Sequence, residues 1–409
     1  MVFWRRPFGR ARPPAARSPA PEEAKAGVAG RFAALTGAGR PVWTPRDYES
    51  LAREGFGKNP VAYRCVRMIA EAAASAPLVV FEGEARAGAA HPLQRLLDRP
   101  NPEQGGADLR EALFGALQTA GNAYLEAASD ASGVGPSGPP SHLPAERGGE
   151  ADLELYALRP DRVKVVPGAD GWPAGYDYSV DGRSVRLGRE ADGWTPVLHL
   201  KLFHPYDDHY GFPPLEAAAF AVDVHNASGA WNKALLDNAA RPSGALVFGA
   251  GTGERMTEVQ HAALKAELEA AHAGAANAGR PLVLEGGLSW TAMSLSPGEM
   301  DFIAGKHAAA REIALAFGAP PQLLGIPGDS TYANYREANV AFWRGTVVPL
   351  VEKTARALTA WLEPRFPGCV IRPDWDAVPA LSAEREALWA RLEAATFLTV
   401  EERRRMAGL

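Results

Sequence analysis

Hydrophobic and polar positions along this chain repeat first at helical spacing, then at a period of two, then at helical spacing again almost to the end. In "NPVAYRCVRMIAEAAASA", Asn59 stands where an N-cap belongs, Pro60 takes the first helical position, and Val61, Val66, Ile69 and Ala73 fall near one face. "PLVVFEG" reads as a strand. "DLREALFGALQTAG" predicts a second helix, with Asp108 and Glu111 in a capping-box pattern and Gly121 as its stop. From Asn122 to Phe203 the runs "ADLELYAL", "DRVKVV", "AGYDYSV", "RSVRLG" and "PVLHLKLF" alternate, divided by Asp170-Gly171 and Asp181-Gly182. They predict an antiparallel β region built from hairpins. The Gly/Pro/Ser-rich "DASGVGPSGPPSHLPAERGGE" among them carries no packing pattern and reads as a surface insertion.

After Pro213-Pro214, "LEAAAFAVDVHNASGAWNKALLDNAARP" predicts a helix of about 27 residues, a rod of roughly 40 Å. Phe220, Val224, Ala227, Trp231 and Leu235 form an apolar stripe on it, and Asp223, Asn226, Lys233 and Asp237 a polar stripe about a third of a turn away. The first is expected to pack and the second to meet water. "SGALVFGAG" and "RPLVLEGGLSWTAM" read as strands around a helix opened by Thr257 and Gln260 and closed by Gly274, a small α/β insertion. A further helix is expected from Ser296-Pro297, with Glu299 three residues after the cap, through Ile303, Ala310, Ile313 and Phe317 to Gly318. "STYANYREANVAFWRGTVVPLVEKTARALTAWLE" is the last long helical run, with Val340, Val347, Leu350, Leu358 and Trp361 near one face, and Pro349 should kink or restart it. A strand, "CVIRPDW", and two short helices follow, the last capped by Thr399 and Glu402. Gly325, Pro327 and Gly328 punctuate the chain before the last long helix, and Asp329, Ser330, Thr331, Asn334 and Arg336 are polar without an apolar period. Gly325 to Arg336, which also carries Tyr332 and Tyr335, is therefore expected to be a mobile loop.

Composition narrows the function classes. With 409 residues, 46% of them hydrophobic, the chain can bury a large core and divide into more than one domain. A net charge of -5 builds in no overall attraction to nucleic acid. Cys65 and Cys369, without a C-x-x-C, give neither a disulfide framework nor a zinc finger and read as small buried hydrophobes in a reducing compartment. No apolar run reaches the ~18 residues of a membrane span. The start is basic and Pro/Ala-rich without the apolar core of a secretory signal, so a cytosolic protein with a disordered tail over residues 1–40 is expected. Arg5, Arg6, Arg10, Arg12 and Arg17 in that tail could touch nucleic acid or an acidic partner, or be solvated.

Catalytic signatures are sparse. The phosphate loop G-x-x-x-x-G-K-[ST] is missing, as are H-E-x-x-H and G-x-S-x-G, and "GAGTG" at Gly249 to Gly253 lacks the glycine spacing of a dinucleotide site. One constellation remains. "HLKLFHPYDDHYGFPPLE" places His199, His204, Asp207, Asp208 and His209 within eleven residues, a ligand set suited to a metal-dependent hydrolase. Against it, His199 sits on an alternating strand and the others precede a helix without the i, i+4 pair that puts two ligands on one helix face. The other reading is a polar connection that turns the chain from sheet into helix.

Taken in order, "NPVAYRCVRMIAEAAASAPLVVFEG", "HPLQRLLDRPNP", "GNAYLE", "LYALRPDRVKV", "VLHLKLFHPYDDHYGFPPLEAA" and "REIALAFGAPPQLLGIPGDSTYANYREANVAFWRGTVVPLVEK" resemble the portal proteins of tailed bacteriophages, the HK97-type family, from about Asn59 to Leu409. The resemblance implies an α+β portal fold assembling as a ring, typically a dodecamer, around a DNA channel at one capsid vertex of a phage, prophage or gene transfer agent particle. It implies a wing over residues 41–212, a stem helix over 213–241, a clip over 242–295, a second stem helix over 296–318 and a tunnel loop over 319–336. A long kinked helix over 337–366, a return strand over 367–380 and a short crown over 381–409 complete it. Its implied partners are its own copies, double-stranded DNA passing without sequence recognition, terminase, a head-to-tail adaptor and the major capsid protein. No cofactor, metal or enzymatic activity is implied, since ATP hydrolysis in that family belongs to terminase. Assembly in the host cytoplasm followed by residence at the particle's vertex is the corresponding location.

Overall fold

A computed structural model describes residues 43–129, 153–237, 244–248, 257–260, 262–264, 266, 288–292, 302–328 and 332–407. Helix α1 (Tyr48–Leu51), capped by Asp47, runs through a π turn at Ala52–Phe56 toward α2 (Pro60–Ser75). Asn59 starts α2 as its position predicts. Its Oδ1 accepts from the N–H groups of Val61 and Ala62, both at 3.0 Å, and Pro60 has no N–H left to satisfy. After β1 (Leu78–Glu82), β2 (Ala85–Arg86) and α3 (Pro92–Asp98) comes α4 (Gly106–Ala120). The cap expected at Asp108 lies three residues earlier. Gly105 is the N-cap, and Asp108, the third helical residue, accepts from its N–H at 3.1 Å. An aspartate at either position precedes the same apolar run, so spacing alone does not separate the two.

The alternating region forms two three-stranded antiparallel sheets. One has the order β4 (Leu153–Leu158), β3 (Asn122–Ser129), β8 (Val197–Lys201); the other has β5 (Val163–Pro167), β6 (Pro173–Val180), β7 (Arg183–Gly188). Asp181 and Gly182 both adopt positive φ, 48° and 78°, which matches the twist of the hairpin they close. Because side chains alternate across a strand, β3 serves two cores. Ala123, Leu125 and Ala127 enter the main core with α2 and α4, while Tyr124 joins Leu158, Val163, Val165, Tyr176, Tyr178 and Val197 in a second cluster.

Glu126, two positions beyond Tyr124, is 5% exposed, and its Oε2 has no hydrogen-bond partner. Burial without a counter-charge pushes its carboxyl up to about 7. Below the ordinary glutamate pKa of ~4.3 both folded and unfolded chains hold the proton; as pH rises through about 7 the fold must carry a buried charge. Glu126→Gln should therefore match the wild type at pH 4 and exceed it at pH 8 by on the order of 2 kcal/mol in urea unfolding. An unchanged difference across that range would show that Glu126 is solvated.

The helix expected after Pro213 is broken. A single turn, α5 (Pro214–Ala217), ends at Ala218, where ψ is -8°, and α6 then runs over Ala219–Asp237. Its 19 residues span ~28 Å, against the ~40 Å expected, and residues 238–241 lie outside the described part. Next come β9 (Gly244–Phe248) and β10 (Leu288–Ala292), the strands the insertion's pattern predicts, and they pair antiparallel. Between them, Thr257 and Gln260 form the expected reciprocal cap, at 3.0 and 3.3 Å, whereas Gly274 lies outside the described residues. Helix α7 (Phe302–Ala316) packs along α6 and ends before Gly318, whose φ is 65°; the expected start at Ser296, Pro297 and Glu299 is outside the described residues.

Helix α8 (Tyr332–Phe342) passes through a π turn at Trp343–Val347 into α9 (Val348–Leu362), with Pro349 in the first turn of α9. Pro349 thus restarts the helix, because it supplies no N–H to the turn before it. Strand β11 (Cys369–Pro373) returns to pair antiparallel with β1, Leu78 opposite Pro373 and Glu82 opposite Cys369. Two tryptophans clamp the end of α9 to the connection before β8. Trp194 Nε1 donates to Trp361 O and Trp361 Nε1 to Thr195 O, each at 2.8 Å, with the rings stacked. Last come α10 (Ser382–Ala394) and α11 (Val400–Ala407), the latter capped by Thr399 and Glu402 as expected. Among the described residues no helix is long and apolar enough to cross a membrane.

Candidate channel and subunit-contact surfaces

The His/Asp stretch spreads out where a metal site would converge. His199, on β8, is enclosed against the ring of Tyr124, 4.3 Å between centroids, and its Nε2 bonds Asn122 Oδ1 at 2.9 Å. Burial, then the nearby Lys201 and His209, lower its pKa to about 3, so it is neutral. Asp207 Oδ1 accepts from the N–H groups of His209 and Tyr210 at 2.7 and 3.0 Å, a local turn that also holds its carboxyl below the ordinary range. His204 lies edge-on to Tyr206 and Phe212, and the Asp208 carbonyl accepts from Lys201. These contacts give the stretch the second reading, a polar connection from β8 to α5.

Asn122 anchors that connection, and spacing gave no hint of it. Its Oδ1 accepts from Gly211 N at 2.7 Å, so the same oxygen requires His199 Nε2 to carry a proton. Gly121, with φ 69°, lies so close to Gly211 that a Cβ on it would sit 2.4 Å from the Gly211 carbonyl oxygen. Only two glycines allow that crossing.

On α6, the side chains buried in the protomer are Ala219, Ala221, Val222, His225 and Ser228. The expected packing stripe is a different set. Phe220 is 55% exposed and Ala227 is exposed, Val224 and Trp231 are half-buried, and the side chain of Leu235 is outside the described part. Large residues dominate a hydrophobic pattern, and here the helix turns Ala219, Ala221 and Val222 inward while Ala227 faces out, so the covered face is set by small side chains the pattern does not emphasise. Phe220 stacks on Trp43, itself half-exposed, at 4.9 Å.

The polar stripe is also corrected at its first two members. Asp223 Oδ2 accepts from Thr44 N at 3.0 Å, and Asn226 donates to Glu54 O at 2.9 Å, so both are half-buried and bonded to the protomer's own chain. Lys233 is exposed, and the side chain of Asp237 lies outside the described residues. Asn59, besides capping α2, donates through Nδ2 to Asn226 Oδ1 at 3.0 Å and to His225 Nδ1 at 3.2 Å. Its oxygen is committed to the cap, so His225 Nδ1 must accept and is unprotonated. Burial, with Lys306 and His307 beyond it, lowers the His225 pKa in the same sense. One asparagine thus fastens α6 to the start of α2.

The segment expected as a mobile loop is more ordered than its composition suggests. Pro321–Leu324 form a 3-10 turn ended by Gly325 at φ 70°, Ile326 is buried, and Arg311 donates to the Pro327 carbonyl. Tyr332, Asn334, Tyr335 and Arg336 lie on α8, which corrects their placement in a loop. After Gly328 no glycine or proline interrupts the run, and Ala333, Arg336, Glu337 and Ala338 favour helix. Asn334, Tyr335 and Arg336 are exposed on that first part of α8, while Asp329, Ser330 and Thr331 lie outside the described residues.

Known proteins resemble this chain over most of its length. An uncharacterized protein of Rickettsia bellii (strain RML369-C) is 39% identical over 358 residues, 87% of this chain and 88% of that protein. The portal protein of Enterobacteria phage HK97 is 27% identical over 311 residues, 74% of this chain and 66% of its own length. Among solved structures, a chain in the neck of a native gene transfer agent (GTA) particle computed with C12 symmetry is 51% identical, with a TM-score of 0.64, covering 91% of this chain and 96% of that one. Residues 60–408 match the family described as phage portal protein, and the chain belongs to that family.

Proposed function

We propose that this protein is the portal subunit of a tailed-phage-like particle of the gene transfer agent kind, assembling as a closed ring of twelve around a channel for double-stranded DNA. The observation that carries this reading is the 51% identity, over 91% of the chain, to a neck component of a GTA particle. The protomer's surface supports it. Phe220 on α6 and Leu315 on α7, the latter 80% exposed, are large apolar groups on the stem pair, as a ring needs where each subunit's face meets a different face of its neighbour. Residues 41–212 with the 367–380 return form the wing, α6 and α7 the stem, the β9–β10 insertion the clip that docks terminase and later an adaptor, and residues 381–409 a short crown. Subunits assemble in the host cytoplasm and then occupy the capsid vertex among major capsid proteins. Negative-stain images of the purified protein should show closed rings with a central hole, and a protein monomeric under every assembly condition would exclude the proposal.

The turn at 319–328 and the start of α8 face the channel in this reading and touch DNA by contact, without base recognition. Tyr332 and Tyr335 offer stacking surfaces and Arg336 a phosphate partner, contacts that carry little sequence information. Replacing all three by alanine should leave the ring intact and lower DNA packaging, retention or delivery severalfold. Particles with normal DNA content and normal delivery would remove these residues from the channel.

A further inference from the structure

Two side chains nine residues apart meet a third from far along the chain at one end of the β1–β11 pair. Glu82 closes β1 and Cys369 opens β11, and the two are register partners. His91, the residue that caps α3, brings its Nε2 to 3.2 Å from Glu82 Oε1 and 3.7 Å from Cys369 Sγ. All three donor atoms lie within 4.8 Å of one another. A tetrahedral zinc ion, ~2.0 Å from nitrogen and oxygen and ~2.3 Å from sulfur, holds its donors about 3.3 to 3.6 Å apart. The cluster needs only small side-chain adjustments to reach that.

We propose that Glu82, His91 and Cys369 form a binding site for one thiophilic divalent cation of the zinc class, with its fourth position open to water. Nitrogen, sulfur and oxygen donors in one set are what such an ion selects, and a lone thiolate and carboxylate balance its two charges. His91 and Cys369 are largely enclosed and so held in place, while Glu82 lies open to solvent and gives the ion a path in. A nucleophilic Cys-His-acid arrangement does not fit the same atoms. It needs the acid on the nitrogen opposite the thiol, whereas Glu82 and Cys369 share Nε2. Nδ1 instead accepts from Leu93 N at 3.2 Å, so the unloaded imidazole carries its proton on Nε2. When the ion binds Nε2, that proton moves to Nδ1, the Leu93 bond is given up, and the thiol proton leaves to solvent. The loaded site cross-links the first wing strand to the return strand, which closes a long loop of chain and should raise thermal stability. The proposal does not depend on the portal reading.

The test uses the full-length, tag-free protein, freed of metal with a chelator and titrated with Co²⁺ as a spectroscopic stand-in. One equivalent should produce a near-ultraviolet thiolate-to-cobalt band, displaced by one equivalent of Zn²⁺, and Zn²⁺ should raise the melting temperature. Cys369→Ser should abolish the band, and Cys65, fully buried in the core, cannot replace it. His91→Ala and Glu82→Gln should each weaken Co²⁺ binding by about tenfold or more; Glu82, being on the surface, keeps the test usable if a core variant misfolds. A wild-type protein with no thiolate band under saturating Co²⁺, a band that survives Cys369→Ser, or affinities unchanged in both ligand variants would overturn the site.

Discussion

Asn59→Ala should destabilise the protein by about 3 kcal/mol, read as a lower urea midpoint at an unchanged slope. Asn59 is 1% exposed, and each of its groups is engaged. Its oxygen holds the first two free N–H groups of α2, and its amide nitrogen supplies the donor that His225 Nδ1 and Asn226 Oδ1 accept. Losing a cap costs ~1 to 2 kcal/mol, and leaving buried acceptors without a donor adds a comparable amount. Asn59→Asp separates the two contributions. It keeps the cap and replaces the lost donor by a carboxylate facing His225, which favours the charged imidazole. That variant should therefore lie closest to wild type near pH 5 and fall away as pH rises and His225 loses its proton. A cost below ~0.5 kcal/mol for Asn59→Ala would mean that water replaces the whole network.

A glutamate on the outward side of the stem should have the larger effect on assembly. Phe220→Glu or Trp231→Glu places a carboxylate without a partner in the proposed subunit contact, at several kcal/mol per site. A ring repeats that cost at every interface, so rings should disappear from images and the protein should elute as a monomer. Phe220 stands out from the protomer against Trp43, so Phe220→Glu should leave the isolated fold within about 1 kcal/mol of wild type. Rings of normal number and size from both variants would place the subunit contact elsewhere.

Much of this architecture could be read directly from residue order. The Asn59 cap, the Gly121 and Gly318 stops, the hairpin at Asp181-Gly182 and the restart at Pro349 are all local. Each depends on one residue's backbone preference or missing donor, so a few neighbours in sequence suffice. Helix faces were harder to read. On α6 the phenylalanine and tryptophan dominate the pattern, yet the buried apolar side chains are Ala219, Ala221 and Val222, because which face of a helix is covered depends on its neighbours as much as on its own residues. Over residues 332–336 the helical run and the loop reading overlap, and the structure follows the helical run. Polar residues fit a loop or an exposed helical turn equally well, and an exposed turn has no apolar period to reveal it.

Most elements and the family are legible in residue order, while ligand spacing leaves the hydrolase and polar-connection readings of the His/Asp stretch both open until the contacts of His199, Asp207 and His204 are seen. Which distant residues share a site follows from how the elements pack and pair. Asn122 meets Gly211 because β3 pairs with β8, Asn59 meets His225 because α6 lies against the π turn that leads into α2, and Glu82 and His91 meet Cys369 because β11 returns to β1. Strands are joined by backbone hydrogen bonds whose donors and acceptors are the same for nearly every residue, so turns mark adjacent hairpins but residue order does not mark which distant strands will pair or which side chains will then meet.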